Sequence, residues 1–231
     1  MRKIELPVRG PRMATVVGSY MYVTSYTDNR VIRMPWPDCD RVDAVVHVKR
    51  PRGIVRMDDH LYVACYGNPI GRIVRIDPQT MTASHAFWAF RPRGIAQWRG
   101  MILVTEVNRG RVVAYSLSGY LKHVWSGFIE PRDVHVQDDV MWVADTGHDR
   151  VVECSLNTPY RHEVARMHRP NGVATGDARI VATQWNSGTV HVISRDGTVM
   201  QTFEARTPSM AHYVRHTFLV CDAMANCVYE F

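Results

Sequence analysis

A single proline recurs along the chain with a period that few folds can accommodate. Pro11, Pro51, Pro92, Pro131, Pro170 and Pro208 stand 40, 41, 39, 39 and 38 residues apart, and each opens a short apolar segment. The surrounding text repeats as well: Arg50-Pro51-Arg52-Gly53-Ile54, Arg91-Pro92-Arg93-Gly94-Ile95 and Arg169-Pro170-Asn171-Gly172-Val173. Within each period a second apolar run follows (Tyr20 to Val23, Leu61 to Ala64, Val140 to Ala144), then a polar loop and a third run (Val31-Ile32, Ile73-Val74, Val151-Val152). A fourth run leads into the next proline. The runs are short, rich in β-branched and aromatic residues, and bounded by Gly, Asp, Asn and Pro, so they read as strands. Four strands per period of about 40 residues is the pattern of a propeller blade. The expected fold is therefore all-β: a six-bladed β-propeller with four antiparallel strands per blade, one domain over residues 1–231. The sixth unit stops at Phe231 after its third strand, and Ile4 to Pro11 matches the fourth-strand-to-proline segment of the other units. Residues 2–9 are thus predicted to complete the last blade and close the ring, which removes two exposed sheet edges.

Composition narrows the class further. Apolar residues make up 46% and charged residues 22%, which excludes a disordered or collagen-like chain. No apolar run approaches the ~18 residues of a membrane span, and the start carries no apolar leader segment. Five scattered cysteines without metal-ligand spacing point to a reducing compartment. These features together predict a cytoplasmic protein, or one within a particle assembled there. The 28 basic residues are very unevenly divided, with only Lys3, Lys49 and Lys122 as lysine and the rest arginine.

The segment Trp142-Val143-Ala144-Asp145-Thr146-Gly147-His148-Asp149-Arg150-Val151, with the preceding Pro-x-Gly-Ile/Val pattern, resembles the NHL-repeat propellers. Tyr62 through Pro78 is equally similar to the gluconolactonase and senescence-marker propellers, and amidating-lyase propellers belong to the same group. The resemblance implies the fold. It leaves function open, since such propellers include ligases, RNA-binding proteins, lyases, lactonases and interaction platforms. It also implies that the loops entering each first strand share one face, the top, with the loops between second and third strands.

On that placement the position after each proline holds Arg12, Arg52, Arg93, Arg132, Asn171 and Ser209, so four arginines are expected to crowd the upper mouth of the channel. The position opening each third strand holds Arg30, Arg72, Arg111, Arg150, Thr189 and Cys227. Glu106 and Asp145 are placed to pair with Arg111 and Arg150. The matching slots Ser25 and Cys65 carry no acid, so Arg30 and Arg72 are expected to be free to bind a partner. Arginine suits bidentate recognition of carboxylate or phosphate. Tyr26, Tyr66 and Trp185 share one upper-loop position, either stacking nucleic-acid bases beside the arginines or shielding the blade interfaces. Trp98, Trp142, Tyr62, Phe87, Trp88 and Trp125 fall in strand patterns and are expected in the packing. The opposite turns are richer in acid, with Asp58-Asp59 and Asp138-Asp139.

In the lactonase-like and lyase-like relatives, the resemblance implies metal ligands near the starts of the first strands. Here only Asn171 is of that kind, and arginine repels a cation, so no metal or other cofactor is expected. Asp133 stands where the second, third and fifth blades have glycine, and His135 and His212 share one repeat position. With Asn171 they form the candidate general acid/base set. The leading expectation is a non-catalytic binding or scaffold propeller whose arginine-rich top recognises an anionic partner. That partner would be an acidic protein surface, alone or within a larger assembly, or a nucleic-acid backbone; a small anionic ligand is a further candidate. Two alternatives stay open: a lyase or hydrolase with its site at the channel mouth, and a structural subunit of an assembly such as a virion.

Overall fold

The computed structural model describes residues 1–231 and arranges 24 strands as six antiparallel sheets of four. The innermost strands are Pro11–Val17, Pro51–Met57, Pro92–Trp98, Pro131–Gln137, Pro170–Gly176 and Pro208–Val214. They pack against one another around a central channel, each touching its two neighbours. Every proline of the repeat is therefore the first residue of an inner strand. The six-bladed propeller read from the sequence is the observed architecture.

The ring closes as expected. Arg2–Glu5 pairs antiparallel with Cys227–Glu230, with Arg2 opposite Glu230 and Glu5 opposite Cys227. The sixth blade is thus assembled from both ends of the chain. Its closing strand also contributes apolar bulk: Ile4, Leu6 and Val8 are buried with Ala14, Val16, Met21 and Ile32 of the first blade and Leu219, Cys221 and Val228 of the sixth. Five similar clusters fill the other blade-to-blade interfaces. Each draws chiefly on two adjacent blades, so a blade buries its apolar faces only through its neighbours, as expected of repeat architectures. No helix is long and apolar enough to cross a membrane.

One local irregularity prepares the channel mouth. In all six blades the pairing of first and second strands slips directly after the proline, for example between Pro11 and Ala14, Pro51 and Ile54, and Pro131 and Asp133. A bulge takes the extra residue out of the ladder and re-aims its side chain. The residues released are those after the proline, Arg12, Arg52, Arg93, Arg132, Asn171 and Ser209.

One packing expectation fails. Trp98, Trp142, Tyr62 and Phe87 are buried, but Trp88 is 63% exposed. It lies on the outermost strand of the second blade, Ala83–Phe90, where the inward positions are taken by Phe87 and Ala89. Alternation along that strand turns Trp88 outward.

Candidate anion-binding mouth

The backbone under the mouth is fixed by threonines at one repeat position of the second strands. The Thr24 hydroxyl donates to the carbonyl of Arg52 in the next blade at 2.5 Å, and Thr183 does the same to Ser209 at 2.5 Å. Thr105 reaches the carbonyl of Arg132 at 3.5 Å while accepting from the Gly94 amide at 2.8 Å. Each bond ties a bulge to the adjacent blade. The close fit is visible at Gly94 and Gly172, where an added Cβ would come within 2.7 Å of Asp133 Cα and 2.5 Å of the Ser209 carbonyl.

Above this floor the arginines converge. Arg93 Nη2 donates to Asn171 Oδ1 at 2.5 Å, and Arg132 Nη1 reaches the same oxygen at 3.4 Å. Asn171 belongs to the fifth blade and Arg93 to the third, so the contact crosses the mouth. The aromatic residues alternate with the remaining guanidinium groups. Arg12 lies 4.6 Å from the Trp185 ring centre and 5.1 Å from Tyr26. Arg52 lies 4.6 Å from Tyr26 and 4.8 Å from Tyr66, and Arg91 lies 5.3 Å from Tyr66. Trp185 is in the fifth blade and Arg12 in the first. The blade between them offers only Ser209 and Ala223 at the matching positions, which leaves room for the contact.

These cations lack counter-charges. Arg12, Arg52 and Arg93 form no ion pair, and Arg132 has only Glu130 at 3.7 Å, which Arg169 holds more closely at 2.7 Å. The Nε groups of Arg12, Arg52, Arg93 and Arg132 and the Nδ2 of Asn171 are buried without a hydrogen-bond acceptor. All five atoms are donors. Burial pushes Arg12 down to about 10, with the neighbouring Arg52 adding to the effect. Arg93 is pushed down further by burial and then by Arg52, Arg132 and Arg12, and burial also lowers Arg52 and Arg132. Desolvation and like-charge repulsion both penalise the charged form, yet a guanidinium stays charged at neutral pH. The mouth is therefore a desolvated cluster of positive charge.

The other arginines of this face behave differently. Arg111 donates to Glu106 at 2.7 Å and Arg150 to Asp145 at 2.9 Å, the two pairs expected from the repeat. Arg30, expected to be free, pairs with Asp28 at 3.1 Å. Asp28 lies in the upper loop, outside the position where the repeat places an acid. Arg72 forms no ion pair and borders a groove with Tyr66, Ile70 and Trp88.

The four candidate acid/base residues do not come together. Asp133 is buried and accepts from the amides of Val134 at 3.0 Å and Val173 at 3.1 Å, joining the fourth blade to the fifth. Burial pushes it up to about 8, against the pull of those two donors and of Arg93. Asn171 serves the arginines. His135 and His212 instead line a separate cavity of about 510 Å³ with Thr15, Val55, Ile95 and Thr175. Their ring centres are 6.1 Å apart. Burial, reinforced by His212, pushes His135 down to about 3, and burial pushes His212 down to about 4. Both are neutral at physiological pH. No group of three or more His, Cys, Asp or Glu side chains is gathered in a metal-binding arrangement.

No protein-family model matches the chain, and no curated protein does. Many solved structures share its fold. A streptogramin B lyase superposes with a TM-score of 0.69 at 12% identity over 99% of this chain and 96% of that one. A structure of a nidogen/laminin complex gives 0.76 at 15% identity over 88% and 86%. Virginiamycin B lyase from Staphylococcus aureus gives 0.69 at 13% identity over 100% and 87%. At these identities the likeness concerns the fold, the six-bladed propeller. The NHL-repeat resemblance remains one of motif.

Proposed function

We propose that this propeller is a recognition module that receives a compact anionic group of a protein partner at the upper mouth of its channel. One observation carries the reading. Five of the six residues released by the bulges present a buried donor with no acceptor, and three of the four arginines among them form no ion pair. A carboxylate or phosphoryl group supplies several acceptors and charge compensation at once. The other arginines of the rim are ion-paired in the first, third and fourth blades, so no charged track for a nucleic-acid backbone runs around the mouth. The tyrosine rings each lie against two guanidinium groups, so base stacking would have to displace them. In one fold relative, nidogen, the propeller structure is that of a complex with a protein, laminin.

The lyase reading is supported less well, because the two imidazoles line a different cavity from the arginines that would hold an anionic substrate. The test is fluorescence anisotropy with a glutamate-rich peptide, a phosphoserine peptide and an RNA oligonucleotide at low and physiological salt. Binding of an acidic peptide that weakens with salt and is lost in Arg52→Glu/Arg93→Glu is expected. No binding at low salt, or binding indifferent to that double reversal, would overturn the proposal.

A further inference from the structure

Outward from the mouth, the second blade carries a groove whose walls change from basic to apolar. Its inner part, about 330 Å³, runs from Tyr66 past Arg50, Lys49 and Arg72 to Ile70 and Trp88. Its outer part, about 650 Å³, begins at the same Ile70 and Trp88 and continues along Phe90, Tyr115 and Leu121 between the second and third blades. Arg109 stacks 3.2 Å from the Phe90 ring centre, and Arg111 stands beside it. No aspartate or glutamate lines either part. The inner end is continuous with the mouth, because Tyr66 is the ring against which Arg52 and Arg91 lie.

The apolar part is open to water. Trp88 is 63% exposed, and Ile70 and Leu121 are each 52% exposed. Scattered exposed apolar residues are ordinary, but a contiguous set in a concave wall, rimmed by charge, marks an interaction surface. Tryptophan and arginine are also the residues that most often dominate binding energy. The charge along the groove is of one sign and continues that of the mouth.

We infer that the groove takes an extended acidic segment of a protein partner, with one large apolar side chain, aromatic or leucine, seated against Trp88, Ile70 and Leu121. The inference rests on the mouth reading for the acidic end of the segment and adds the apolar anchor that sets specificity. Lys49, Arg50, Arg72 and Arg109 attract the acidic stretch, and the wall of the outer part buries the anchor.

Two labelled glutamate-rich peptides that differ only in one central residue, Phe or Ala, separate the two contributions on the full-length protein. The wild type is expected to bind the Phe peptide about tenfold more tightly, equal to ~1.4 kcal/mol. Trp88→Ser/Ile70→Ser is expected to erase that preference while leaving the affinity for the Ala peptide within about twofold, a range in which an exposed pair has little effect on charge. Both side chains are exposed, and an unchanged circular dichroism melt establishes that the variant folds. Equal binding of the two peptides by the wild type, or an undiminished preference in the variant, overturns the inference. It would leave the mouth reading intact provided Arg52→Glu/Arg93→Glu still abolishes binding of both peptides. A Phe preference that persists in the charge-reversed protein supports the groove and overturns the mouth. RNA binding lost in Trp88→Ser/Ile70→Ser, or a dimer dispersed by it, would assign the surface to another occupant and overturn the inference.

Discussion

Arg93 and Arg150 lie on adjacent blades of one face, and the fold uses them in opposite ways. Arg150 opens a third strand and rests on Asp145, which is fully buried and also accepts from His148 at 2.8 Å and the Ile129 amide at 2.8 Å. Arg93 follows a proline, is thrown off the ladder by a bulge, and finds only the amide oxygen of Asn171. The third-strand arginines Arg111 and Arg150 belong to networks that hold loops in place. The mouth arginines repel one another, and only Arg12 and Arg52 among them lie against tyrosine and tryptophan rings, a weaker compensation of about 0.5–2 kcal/mol each. One residue type therefore stabilises the fold at one repeat position and creates an unmet electrostatic demand at the other.

The sharpest test of this contrast is on binding. Arg52→Glu/Arg93→Glu should weaken an acidic peptide by about 100-fold or more, since several kcal/mol attach to a desolvated charge contact, whereas Arg150→Ala should change it by less than about threefold. Anisotropy titration of both variants reads the ratio. On stability the order should reverse. Asp145→Ala strands the donors of Arg150, His148 and Ile129 and is expected to cost about 3 kcal/mol in urea unfolding. Arg12→Met/Arg93→Met should be neutral or stabilise by up to about 1 kcal/mol, because it removes desolvated charges that repel their neighbours.

A smaller effect should appear in the protein's response to simple anions. Phosphate should raise the melting temperature of the wild type by a few degrees, roughly 1 kcal/mol for a chain of this size, and leave Arg12→Met/Arg93→Met unmoved in calorimetry. The smallest effect concerns the cavity on the other side of the disc. His135 and His212 are held near 3 and 4, while an unfolded chain takes up these protons near 6.5. Between those values the unfolded state binds more protons, so stability falls as pH drops from about 6.5 toward about 4. His135→Gln/His212→Gln should move the acid-unfolding midpoint to lower pH, followed by circular dichroism, without altering peptide affinity at neutral pH.

What could be read from the sequence follows the repeat. The prolines, the closing strand, the arginine ring and the pairs Glu106–Arg111 and Asp145–Arg150 all sit at equivalent positions, so aligning the units exposes them. Contacts between non-equivalent positions escape that method. Asp28 reaches Arg30 from the loop, Trp185 reaches Arg12 across the small residues of the sixth blade, and the carboxylate of Asp133 turns to the amides of the next blade. Asp133 and His135 stand two positions apart on a regular stretch of one inner strand, so His135 sits a step further along the channel and lines the cavity while Asp133 turns to the next blade. Trp88 departs from its expected place in the packing because an outermost strand has an outward face that patterning alone does not distinguish from a buried one. The threonines at 24, 105 and 183 were a missed signal, recurring in alternate blades at one position.

The closing strand has a mechanical consequence. Arg2 lies opposite Glu230 in an antiparallel pair, so the two chain ends emerge side by side at the same edge. A force applied between them would peel the hydrogen bonds of that pair one after another instead of loading them together. The ring should thus open at its seam under low tension while the other five blades stay folded. A tether attached at both ends would make the sixth blade a latch, and stress transmitted through such a tether would first uncover the apolar face of Ile4, Leu6 and Val8.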